Sequence, residues 1–100
     1  MLRDFDDIID RMIFSGKFDG IDETIQAVTD IKRQVGLASQ GHKPSQEIIV
    51  ESLRRIVSIR PDVAHQTADM IVRKAEEDVQ DPAFANDLKQ TVEETGKELF

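Results

Sequence analysis

The chain has 100 residues, 39% of them apolar and 33% charged, with a formal net charge of −7 and a pI near 4.7. It holds no cysteine, which excludes disulfides and thiol chemistry. No apolar run approaches the roughly 20 residues that cross a bilayer, and an acid excess of this size disfavours general binding to nucleic acid.

The length suits one domain over residues 1–100, with a modest core. Pro and Gly are few and aliphatic residues plentiful, which argues against disorder. Four acids among the first ten residues, Asp4, Asp6, Asp7 and Asp10, are unlike a signal or transit peptide. The expectation is a soluble cytoplasmic protein.

Helical periodicity recurs along the chain, and strand signals are nearly absent. The first predicted helix runs about Asp4 to Phe14. Phe5, Ile8, Ile9, Met12 and Ile13 share one face there, and Asp4, Asp6 and Asp7 sit in the first turn, where the helix dipole favours anions. Ser15-Gly16 supplies a stop. Phe14 is assigned to the core.

The second helix is expected over about Ile21 to Val35, capped by Asp19 or Gly20. Ile21, Ile25, Val28, Ile31 and Val35 form its stripe, and Gly36 reads as its end. LASQGHKP is a polar loop with Gly41 and Pro44 as breakers. Ser45 then caps a third helix over about Gln46 to Ser58. Its apolar residues, Ile48, Ile49, Val50, Leu53, Ile56, Val57 and Ile59, are too many for a narrow stripe, so it should be the most buried helix.

Arg60-Pro61 breaks that helix and opens a fourth, about Pro61 to Val79, because Pro suits a first helical position while the residue before it avoids the helical region. Its Ala64, Ala68, Ile71 and Ala75 predict close approach to a neighbour, within the monomer or across a two-fold axis. Asp81-Pro82 repeats the start signal for a fifth helix to about Leu99. The predicted fold is all-α, a compact bundle or orthogonal array of four to five short helices.

Charge is segregated along the chain. Residues 1–30 carry a net charge of −5, residues 31–60 carry +4, and residues 61–100 carry −6. The basic middle consists of Lys32, Arg33, Lys43, Arg54, Arg55 and Arg60. These side chains are candidate contacts for nucleic acid or an acidic partner. The corner at Ser58 to Asp62 echoes a helix-turn-helix joint, although the helix after it begins with an acid. The competing reading pairs Arg54 and Arg55 with acids of the first and last helices.

One stretch, PDVAHQTAD, places Asp62 and Asp69 at i−3 and i+4 of His65, on one helix face. The first reading is a solvated helix start, with Asp62 serving the helix dipole and His65 on the surface; the second is a pH-sensing or partner-binding histidine. The arrangement falls short of a metal centre, because zinc favours several Cys and His ligands and this chain offers only His42 besides. Nor does it match the paired Glu-x-x-His motifs of di-iron bundles. Ser39 and Ser45 flank His42 without forming a nucleophilic motif. Asp6-Asp7 and Glu76-Glu77 are sequence neighbours and do not face each other on a helix.

The sequence therefore predicts no metal, cofactor or catalytic residue. It points to a small acidic, non-enzymatic regulator or adaptor that binds a protein partner through helix faces, with a homo-oligomer as a further expectation. Asp62, His65, Asp69, Leu99 and Phe100 are candidate partner contacts, as is the segment Met12-Ile13-Phe14. The alternative is a nucleic-acid-associated protein using the basic segment 32–60.

Overall fold

A computed structural model describes residues 3–14 and 20–99 of the chain. It contains five helices: α1 (Arg3–Phe14), α2 (Ile21–Ser39), α3 (Gln46–Ile59), α4 (Pro61–Glu77) and α5 (Pro82–Leu99). No strand occurs among the described residues. The radius of gyration, 12.6 Å, is that of a folded domain of this length, about 13 Å. The fold is an all-α compact array.

Helix α2 packs most extensively on α3, and α4 on α5. Helix α3 also meets α4 and α5, while α1 lies on α2 and α4. One core joins all five. Phe5, Ile31, Ile49, Leu53, Ile56, Ile71 and Leu88 are its largest fully buried apolar side chains. Burying each such side chain contributes roughly 1.5–3 kcal/mol, and a core this size is what a chain without disulfides needs.

Three of the helix starts have clear local causes. Ser45 Oγ accepts the Ile48 N–H at 3.4 Å, capping α3. Pro61 occupies the first turn of α4, and Arg60 alone separates that helix from α3. Asp81 Oδ1 accepts the Ala83 N–H at 2.9 Å, capping α5 just before Pro82. Gly20 opens α2 differently, in a left-handed conformation at φ 70°, with its carbonyl accepting from both the backbone N–H (3.0 Å) and hydroxyl (2.8 Å) of Thr24. The expected stop at Ser15-Gly16 and the alternative cap Asp19 lie outside the described residues.

Four expectations need correction. Helix α2 does not stop at Gly36 but continues to Ser39. Its end is a Schellman motif around Gly41, at φ 88°: Gly41 N–H donates to Ala38 O at 3.1 Å and His42 N–H to Leu37 O at 2.8 Å. Helix α3 is not the most buried helix. Its inward residues are Ile49, Ser52, Leu53 and Ile56, whereas Ile48 is 41% exposed and Val50 and Val57 are half-buried. Helix α4 ends at Glu77, and Val79 is buried from the loop beyond it. Phe14, assigned to the core, is 87% exposed. Its helix turns Phe5, Ile8 and Met12 inward instead.

The small-residue stripe of α4 has its neighbour inside the chain. Ala64, Ala68, Ile71 and Ala75 are all buried without a second copy, so the close seam is intramolecular.

Candidate functional site

The basic middle segment comes apart in three dimensions. Lys32, on α2, pairs with Asp6 of α1 at 2.6 Å. Arg54, on α3, pairs with Glu98 of α5 at 3.0 Å. Arg60, at the α3–α4 corner, pairs with Asp62 at 3.4 Å. The first two are the cross-helix pairs that segregated charge makes available: acidic flanks fold back onto a basic centre. Both are exposed enough for water and salt to screen them, so each adds about 1 kcal/mol or less.

Arg33, Lys43 and Arg55 form no ion pair among the described residues, and all three are exposed. Lys43 lies apart, in the loop after α2. Arg33 and Arg55 flank a shallow cleft of about 200 Å3 between α2 and α3. Asp30 and Glu51 line the same cleft, with Gln34, Ser52 and the exposed Ile48. Two carboxylates beside two guanidinium groups leave no concentrated positive field for a polyanion to follow.

Asp62, His65 and Asp69 are exposed on the solvent side of α4, as their spacing requires. Asp62 is already engaged. Arg60 donates to both of its oxygens at 3.4 Å, and this hydrogen bond holds the carboxyl below its usual range; partial burial opposes the shift and the Arg60 charge reinforces it. Among the described residues no group of three or more His, Asp or Glu side chains is placed to hold a metal ion. The three residues share the exposed face of α4.

The hydroxyls near His42 serve the helix ends. Ser39 Oγ donates to Gly36 O at 2.7 Å, and Ser45 Oγ is the α3 cap. His42 itself is exposed. Of the adjacent acids, Asp6 pairs with Lys32, and Glu76 meets Lys89 of α5 at 3.7 Å.

Among the described residues the large exposed apolar side chains are Ile13 (45%), Phe14 (87%) and Ile48 (41%). Ile13 and Phe14 are neighbours at the C-terminal end of α1, while Met12 beside them is buried. Asp6, Asp7 and Asp10 are exposed along the same helix. The contact role expected of Leu99 and Phe100 lies outside the described side chains.

Sequence reading missed the buried polar groups, of which three bear most on the packing. Gln34 Oε1 accepts the Ser45 N–H at 2.8 Å, tying the start of α3 to the middle of α2. Lys74 is 5% exposed, with its ammonium 3.6 Å from the Asp78 carboxylate. Thr67 Oγ1 is buried and finds no hydrogen-bond partner among the described residues. For Lys74 the Lys-x-x-x-Asp spacing was the available signal. Periodicity alone carries none for Gln34 or Thr67. Comparison with known proteins adds no further assignment: no protein-family model, no curated protein and no solved structure matches the chain.

Proposed function

We propose that the chain is a small acidic, non-enzymatic regulator or adaptor that binds a protein partner through its helix surface. The observation that carries this reading is the Ile13–Phe14 pair. Large apolar side chains exposed side by side on a helix whose other face is buried are available for a partner to cover. The ion pairs of Lys32, Arg54 and Arg60 count against the alternative, a nucleic-acid-associated protein, because half of the basic segment is neutralised within the chain. Arg33, Lys43 and Arg55 remain for that alternative, with Asp30 and Glu51 interleaved.

Affinity capture from the source lysate tests it, with tagged wild type and the double variant Ile13→Asp/Phe14→Asp side by side, each with and without nuclease. The expected result is a stoichiometric protein partner that survives nuclease and is lost with the double variant. Material that disappears with nuclease, and is held equally by both proteins, would move the assignment to the basic segment. Both side chains are exposed, so the variant should keep its helical circular dichroism.

A further inference from the structure

We propose that the Ile13–Phe14 tip of α1 seats in an apolar pocket rimmed by lysine or arginine side chains on a different protein, with Asp7 and Asp10 pairing with that rim. This names the chemistry of the partner and rests on the protein-binding reading above.

The geometry of α1 supplies the argument. Phe5, Ile8 and Met12 fix one side of the helix in the core, and the Lys32–Asp6 pair ties it to α2. The tip is therefore presented in a set orientation, so little conformational freedom remains to be lost on docking. Asp7, Asp10 and Phe14 follow i, i+3, i+7 spacing and lie on one side. Asp7 and Asp10 are exposed and make no ion pair among the described residues. Arg11, also exposed, offsets one of the two charges. The negative end of the helix dipole lies at the tip and adds to what remains. The result is an apolar knob beside a net negative ridge, which complements a pocket with a basic rim.

Charge also selects among occupants. A two-fold contact between copies of this tip would bring two net-negative ridges together, on chains that each carry −7. An anionic membrane or a nucleic acid would meet the same repulsion.

Photocrosslinking in the source lysate tests the proposal directly, with p-benzoylphenylalanine at position 14 of the full chain and, in a second protein, at position 48. The expected result is a position-14 adduct with one heterologous protein, at a peptide containing Lys or Arg beside apolar residues. Asp7→Asn with Asp10→Asn should weaken binding of that protein about fivefold at low salt. The deficit should vanish at about 0.5 M salt, where exposed pairs are screened. An adduct with a second copy of this chain or with lipid overturns the proposal, and so does binding indifferent to the two Asn substitutions. Crosslinking to a protein at position 48 alone removes the tip but leaves the protein-binding reading standing. No protein adduct at either position removes both.

Discussion

Helix α2 begins and ends on a glycine with positive φ, Gly20 at 70° and Gly41 at 88°. The backbone demand is nearly the same at both ends, but the surroundings differ. A Cβ on Gly20 would collide with the Ile59 side chain at the α3–α4 corner, whereas one on Gly41 would meet nothing within 4 Å. Gly41 is there for its dihedral alone. Gly20 is there for its dihedral and for the closeness with which α2 begins against the end of α3. The same residue type at two ends of one helix thus answers two questions, one local and one tertiary.

Substitutions can break this contrast. Gly20→Ala is expected to cost about 2–4 kcal/mol, left-handed strain plus overpacking against Ile59. Chemical denaturation measures it. Adding Ile59→Ala should recover part of that loss, so the double variant is more stable than the two single losses would give. Strict additivity would mean that the close approach carries no energy.

Smaller effects sharpen the other end. Gln34→Leu leaves the Ser45 N–H without its acceptor and should cost about 1.5 kcal/mol in the same denaturation measurement. Gly41→Ala should cost about 1 kcal/mol, from strain alone, and Gly41→Asn less, because Asn tolerates the left-handed region. If Gly41→Ala cost as much as Gly20→Ala, the contrast between the two ends would fail.

The smallest effect concerns the corner that Gly20 abuts. The Asp62 carboxyl is held below its unfolded value of 3.8 by Arg60. Its contribution is therefore present above that pH and is lost as pH falls through the folded value. The pair is exposed on the Asp62 side, so the amount is about 0.3 kcal/mol after screening. Asp62→Asn should accordingly narrow its stability deficit to wild type on acid titration, and a deficit constant down to pH ~2 would contradict the assignment.

Helix starts were legible because single residues specify them. Ser45, Pro61 and Asp81-Pro82 each carry their own cause. The end of α2 was not, because the sequence offers two glycines and only the turn geometry at Gly41 decides between them. The Gln34 link to Ser45, which fixes the same loop, is invisible to periodicity. Composition suggested a wide apolar α3, but Ile48 and Val50 fall on its outward flank, since packing on α2, α4 and α5 still leaves one side open. Phe14 failed for a related reason: an apolar residue at a helix end satisfies the stripe pattern without facing the core. Charge segregation was read correctly as a sum, and only coordinates resolved it into the pairs of Lys32 and Arg54 and the mixed cleft at Arg33 and Arg55.

The order of the helices in space has a kinetic consequence. The most extensive contacts, α2 with α3 and α4 with α5, join neighbours in the chain across short connections. Little loop entropy is lost in closing them, so refolding should be fast, on the order of microseconds to milliseconds. Helix α1 packs least extensively of the five, and part of that packing, on α4, spans two intervening helices. It should dock after the transition state. A stopped-flow chevron of Phe5→Ala would then show faster unfolding and a nearly unchanged folding rate. The helix that carries the exposed tip is thus the last to join the bundle and the first to leave it.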